Sequence, residues 1–242
     1  MAAHPNLTQA KRLPRYSVPF TLPRRPPPPC DDRLRCRDRF VVHSRAEVTS
    51  YSEWLQMDPA RFEFVPLQRA TRDITIEEDS SAPFVLSMGS AHRDYRLLFA
   101  VLAELRYPAV VVAGAHAVQG LQVPANVTVR SGLSVEQCHE LVQRARVNVI
   151  PVANQETASG QVTLLDAMVY GRATIASRCR ASIDYVGRAA LLVSAGDRDD
   201  LKTAIDGLWQ DASQRTAIGH RPSAKRQGAR RSSASPTRRL AR

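Results

Sequence analysis

Between residues 39 and 219 short apolar runs alternate with amphipathic stretches, and this pattern predicts the elements. RFVVHS (39–44) reads as a short buried strand. RAEVTSYSEWLQ (45–56) sets Val48, Tyr51 and Leu55 on one side at helical spacing. FEFVP (62–66) reads as a strand closed by proline, and polar residues 68–81 as a linker. PFVLSMG (83–89) is a continuous apolar run ending in glycine, as a strand buried on both faces requires. DYRLLFAVLAEL (94–105) is an amphipathic helix, and AVVVAG (109–114) and NVTVRSG (126–132) are strands. Ser134 and Gln137 form a capping box for the helix VEQCHELVQRAR. VNVIP (147–151), the helix VTLLDAMVYG, ATIAS (173–177), the helical turn IDYVG and the strand ALLVSAG follow, and Asp197 caps a last helix running through LKTAIDGLWQD.

Strands alternating with helices of about 10–15 residues specify an α/β protein. The expected fold is a Rossmann-like parallel sheet flanked by helices, with right-handed crossovers. Ligands of such sheets sit beyond the carboxyl ends of the strands. Gly89, Gly114, Gly132 and the turn Ala158–Gly160 all fall at that edge. No internal repeat is visible.

The densest chemistry lies in ETASGQVTLLDAMVYGRATIAS (156–177). A strand passes through small residues and Gly160 into a helix, whose N-terminus presents free backbone N–H groups and the positive end of its dipole. The amides of Gly160, Gln161, Val162 and Thr163 suit a diphosphate, and Asp166, further along the helix, suits a ribose. The same residues also read as an ordinary strand-to-helix turn with a solvent-facing acid, and spacing alone does not separate the two. SMGSAHRDY (87–95) is a second glycine turn, with Arg93 at a helix start. A cation there opposes the helix dipole, which an anionic ligand would offset; the alternative is a surface arginine with Asp94 capping and Tyr95 packing. His92 and His116 follow strand ends, where each reads as a ligand contact or as a loop histidine. There is no GxGxxG, Walker loop or GxSxG, and no histidine or cysteine set at metal-ligand spacing.

Charge changes the picture at the ends only. The net charge is +11, of which residues 1–39 carry +6 and residues 221–242 carry +8, leaving −3 for the body. Residues 1–38 are Pro/Arg-rich and 221–242 Arg/Ser-rich, and both are expected to be disordered. They read as solvated tails, or as arms for nucleic acid or an anionic membrane. The C-terminal tail has no aromatics for base stacking, which makes nucleic acid the poorer partner. Cys30, Cys36, Cys138 and Cys179 form no CxxC pair, so a reduced, cytoplasmic setting is expected. No signal peptide and no apolar run of about 18 residues is found.

Taken together, the segments resemble the carboxyl-terminal, nucleotide-sugar-binding domain of family 4 glycosyltransferases with the GT-B fold, from about Arg39 to Gly219. HSRAEVTSYSEWL and RFEFVP resemble the end of such an enzyme's first domain. PFVLSMGSAHRDYRLLFAVLAEL resembles the opening strand, phosphate loop and helix. VTVRSGLSVEQCHELVQRARVNVIP resembles the base-binding segment, and SGQVTLLDAMVYGRATIAS the signature helix and following strand. The implied domains are a remnant of the first domain with its linker (39–78) and a nucleotide-sugar-binding domain (79–220).

The resemblance implies transfer of a hexosyl unit from a UDP- or GDP-sugar, with retention, without a bound metal, and with the nucleotide sugar as substrate rather than cofactor. Gly89, Ser90 and Arg93 would line the phosphate loop, with Arg93 stabilising the diphosphate. Ser131, Gly132 and Leu133 would meet the base. The family's Glu-x7-Glu motif places its second acid at Asp166 and its first at Ala158, so Glu156 would substitute only through a rearranged turn. A second phosphate-loop arginine is replaced by Ser90. The acceptor, a glycan or a lipid-linked molecule, would bind a first domain of which about 40 residues are recognisable here. Expectations are therefore a reading frame truncated or shifted at both ends and inactive alone, or a half-enzyme paired with a separate acceptor domain, peripheral to a membrane or free in the cytoplasm. The alternative from another class is a non-catalytic interaction protein that binds polyanions through its Arg-rich tails.

Overall fold

A computed structural model describes residues 39–70, 74–153, 155–156 and 158–219. The basic ends, with Cys30 and Cys36, lie outside the described residues, so their expected disorder is not addressed. Strand β1 (Phe40–Val42), helix α1 (Arg45–Leu55) and strand β2 (Phe62–Phe64) make a small parallel βαβ unit. The main sheet follows: β3 (Val85–Met88), α2 (Tyr95–Leu105), β4 (Ala109–Val112), α3 (Ala115–Val118), β5 (Val127–Arg130) and α4 (Val135–Arg144). It continues with β6 (Val147–Ile150), α5 (Gln161–Val169), β7 (Thr174–Arg178), β8 (Leu191–Ser194), α6 (Arg198–Gln210) and α7 (Ala212–Gly219).

The six strands lie in the order β5-β4-β3-β6-β7-β8, all parallel. The chain moves outward from β3 to β5, returns to β6 and moves outward again. The order therefore reverses between β3 and β6, where a doubly wound sheet opens a crevice at its carboxyl edge. Sequence explains which strands are central. VLSM in β3 and VNVI in β6 are buried at every position, whereas the edge strands β5 and β8 expose part of their length. On one face Val85, Val149 and Ile175 pack with Leu98 and Leu102 of α2 and Leu201, Ile205 and Leu208 of α6. On the other, Leu86 and Met88 pack with Val142 of α4 and with Ala167 and Tyr170 of and after α5. Each fully buried Leu or Val contributes about 1.5–3 kcal/mol of transfer free energy.

Caps set the helix starts. Asp94 accepts from Leu97 N at 2.9 Å, and Asp197 from Asp200 N at 3.0 Å. The Ser134–Gln137 box closes at 3.2 and 2.9 Å. Two helices escaped the pattern. Helix α3 is a single turn after Gly114, and α7 is separated from α6 only by the extended Asp211, which caps Gln214 N at 2.9 Å.

The βαβ unit docks on the segment after β7 through partly buried polar contacts. Asp184 accepts from Ser44 Oγ at 3.0 Å and Arg45 N at 2.8 Å. Tyr185 donates to His43 O at 2.6 Å and accepts from Leu67 N at 3.0 Å.

Tyr95 fastens α2 beneath the carboxyl edge. It is 1% exposed, its ring stacks on Phe99, and its hydroxyl donates to Gly89 O at 2.5 Å. Burial pushes its phenol up to about 12. An unfolded tyrosine ionises near pH 10, so this contribution is fully present below that pH and is lost as pH rises from 10 through 12. Urea unfolding between pH 8 and about 11.5 should show the parent losing about 2 kcal/mol more than Tyr95→Phe. Parallel pH profiles for the two proteins would contradict this.

Candidate functional site

The loops after β3 and β6 meet at the reversal of strand order. Gly89 keeps sheet register, its N–H donating to Val112 O at 2.9 Å, and then turns at φ +113°. The chain passes His92, also in the left-handed region, and Arg93 forms an isolated bridge with Val152. Asp94 N donates to Pro151 O at 3.0 Å and Ala153 N to His92 O at 3.1 Å, so the two loops are stitched together. Val152 N donates to Ser177 Oγ at 2.9 Å, which ties them to β7.

Arg93 folds back into this junction. Its Nε donates to Met88 O at 3.0 Å, Nη1 to Ala91 O at 3.0 Å and Ser159 Oγ at 3.3 Å, and Nη2 to Thr163 Oγ1 at 3.3 Å. All four acceptors are neutral, and among the described residues no carboxylate pairs with it. Burial holds the guanidinium below its ordinary range, yet an arginine remains charged at any physiological pH. A half-buried cation without an anion is an unfavourable arrangement that an anionic ligand would relieve.

Two glycines make room for it. A Cβ at Gly89 would lie 2.6 Å from Nη2 of Arg93. A Cβ at Gly160 would lie 2.8 Å from Ile150 Cγ2 and 3.4 Å from Nη1 of Arg93, and Gly160 has φ +86°. Gly160 is also the N-cap of α5, where no side chain caps the helix and the first helical bond is Leu164 N to Gly160 O. The amides of Gln161, Val162 and Thr163 thus face the junction without a cap, beside Arg93. Val162 is half-exposed, so the mouth is open.

The structure brings Gly89, Arg93, Gly160 and the first turn of α5 into one site, and places the other expected residues around it. Ser90 turns toward β4, where its Oγ accepts from Gly114 N at 2.8 Å. Ser131, Gly132 and Leu133 leave the end of β5, two strands from β3, with Gly132 at φ +70°. Asp166 is not solvent-facing: its side chain is 16% exposed, and Arg69 of the linker reaches Oδ1 at 3.0 Å and Oδ2 at 3.3 Å. His139 of α4 lies 3.9 Å away. Glu156 points outward and pairs with Arg180, while Ala158 is buried with Ile150 and Leu164. Sequence reasoning missed Ser159 and the Thr163 hydroxyl as acceptors for Arg93, and Arg69 as the partner of Asp166. A small hydroxyl residue before a glycine N-cap was a usable signal for Ser159, but nothing marked Arg69. Among the described residues no three His, Cys, Asp or Glu side chains converge as a metal site requires.

The family model of group 1 glycosyltransferases matches residues 82–211, more than half of the chain, and the chain belongs to that family. A search of curated protein sequences found no match. Among solved structures, sucrose-phosphate synthase from Thermosynechococcus elongatus is 20% identical with a TM-score of 0.59, covering 74% of this chain and 51% of that one. A glycosyltransferase from Rickettsia africae is 12% identical with a TM-score of 0.62, covering 75% and 56%. Anabaena HepE in complex with UDP-glucose is 14% identical with a TM-score of 0.60, covering 75% and 57%. The fold is that of these GT-B enzymes, and the chain spans about half their length.

Gly160→Ala should lower stability by about 1–3 kcal/mol, because the left-handed backbone and the Ile150 contact are both strained. Urea denaturation measures this, and a variant as stable as the parent would show that the turn is not held as described.

Proposed function

We propose that this group 1 glycosyltransferase domain binds a UDP- or GDP-sugar by its diphosphate and transfers the hexosyl unit with retention. The observation that supports the reading best is Arg93, a guanidinium with only neutral partners beside the uncapped amides of α5. A diphosphate there would accept charge-assisted hydrogen bonds from Arg93 and from the amides of Gln161, Val162 and Thr163. The loose contacts at 3.3 Å to Ser159 and Thr163 would be exchanged for stronger ones. The UDP and UDP-glucose held by the Anabaena protein in its structures support the same ligand class.

The chemistry then follows from charge. As the sugar–phosphate bond breaks, negative charge grows on the leaving nucleoside diphosphate. Donors already fixed around it stabilise the transition state without reorganising, and this, with positioning of the donor sugar, is the domain's catalytic contribution. No metal is required for this step. Asp166 binds the ribose, with Arg69 orienting its carboxylate. Backbone at Ser131–Leu133 meets the base, and Ser90 shapes the phosphate loop. Glu156 takes part only if the chain around 155–156 moves it from Arg180.

The acceptor, a glycan or lipid-linked molecule, meets the donor across a cleft whose other wall the described residues do not form. That wall comes from a first domain or a separate chain, which makes donor binding the property to test first. Among the described residues no helix is long and apolar enough to cross a membrane.

Calorimetry of the full chain with UDP, GDP and their sugars should give saturable binding that persists in EDTA and after deletion of 221–242. Arg93→Met should weaken it about 10–100-fold, as for loss of a charge-assisted pair. Asp166→Ala should weaken nucleoside diphosphate binding by about 1–3 kcal/mol while leaving binding of inorganic diphosphate unchanged. No binding by the folded protein at about millimolar nucleotide would overturn the proposal. Polyanion binding that disappears with the tail would instead favour the interaction-protein alternative.

A further inference from the structure

The opposite edge of the sheet carries a second basic site. Arg146 directly precedes β6 and Arg172 lies two residues before β7, so both stand at the amino ends of the central strands. With Arg215 of α7 and Glu78 of the linker they line a cavity of about 170 Å³. The three arginine side chains are 19%, 14% and 14% exposed, respectively. Enclosing three guanidiniums together is unfavourable unless anions compensate them.

Compensation inside the cavity is incomplete. Glu78 uses both of its oxygens: Oε1 accepts from Arg146 Nε at 2.8 Å, and Oε2 lies 3.4 Å from Arg215 Nε. Arg172 donates to Ile76 O at 2.6 Å, and its only carboxylate among the described residues is Glu77, 3.9 Å away and 92% exposed. The Nε of Arg172 is buried with no hydrogen-bond partner. Arg215 Nη1 also donates to Leu208 O at 2.9 Å and Trp209 O at 3.0 Å, both neutral. Among the described residues three cations therefore share one enclosed carboxylate, and the buried Nε of Arg172 is unused.

We propose that this cavity, formed by Arg146, Arg172 and Arg215 at the amino edge of the sheet, binds a phosphate group as inorganic phosphate or a small phosphomonoester. Two enclosed charges without an enclosed carboxylate among the described residues match a dianion, and planar guanidinium forks match its oxygens. The volume holds a phosphate and a few waters. Because the site lies at the other edge of the sheet from Arg93, its ligand is separate from any nucleotide diphosphate. A bound phosphate would clamp the linker, the starts of β6 and β7, and α7 together, so occupancy stabilises the folded domain by linkage.

The molecule carries its own reporter. The guanidinium of Arg146 lies 4.9 Å from the ring centre of Trp209. Trp54 is the other of the chain's two tryptophans, so Trp54→Phe isolates the signal. Titrating the full chain in that background at matched ionic strength, with inorganic phosphate, glycerol 3-phosphate or chloride, should give a saturable fluorescence change with the phosphates alone. The source is the one that binds more tightly, free phosphate or the ester. Arg172→Gln and Arg215→Gln should each weaken binding about tenfold or more. Saturating UDP should leave it unchanged, which separates this site from the donor site. No saturation by about 10 mM phosphate, or parent-like affinity in both arginine variants, would overturn the proposal.

Discussion

The carboxyl edge of this domain depends on one constraint, the enclosure of the Arg93 guanidinium among neutral oxygens. Its donors reach the end of β3, the loop that follows it, the turn before α5 and the first turn of α5. It thus braces the two central loops of the sheet against each other. A Cβ at Gly89 would enter its space, and a Cβ at Gly160 would strike Ile150 and press on the guanidinium's edge. Tyr95, buried beneath the loop, fixes the Gly89 carbonyl from below. Each of these features costs conformational freedom or backbone strain, and together they hold one positive charge at the mouth of the crevice without neutralising it.

The sheet places that charge. Reversal of strand order between β3 and β6 leaves the loops after both strands adjacent at one edge, and the uncapped start of α5 adds its amides to the same spot. The opposite edge follows another logic. There Glu78 partly neutralises Arg146 before β6 and fastens Arg215 of α7, while Arg172 before β7 has only the exposed Glu77 nearby. One edge presents an almost unopposed cation beside free amides, and the other presents an enclosed cluster short of negative charge. The same parallel topology supports both, because strands that begin at one edge and end at the other gather their flanking loops on opposite sides.

The alternation of apolar strands and amphipathic helices was enough to read the fold. VLSM and VNVI are legible as central strands because they contain no polar face, and Ser134 and Asp197 announce helix starts through their side chains. Helix α7 was not legible, since its residues carry little amphipathic signal and only an extended Asp211 separates it from α6. In the site, Gly89, Gly160 and Arg93 were visible because turn glycines and a cation at a helix start are local anomalies. The partners of Arg93 and Asp166 were not. Ser159, Thr163 and Arg69 meet them across about 65 to 97 residues of sequence, and a polar linker residue such as Arg69 has no periodicity to reveal its contact. Local conflict marks a site, whereas the contacts that complete it are products of the tertiary fold.

The most direct measurement is a crystal structure of the protein soaked with UDP. The account predicts the diphosphate within hydrogen-bond distance of the Arg93 guanidinium and the amides of Gln161–Thr163, with Arg93 released from Ser159 or Thr163 to reach it. A UDP bound elsewhere, or an Arg93 that keeps all four neutral partners while the nucleotide is present, would contradict it.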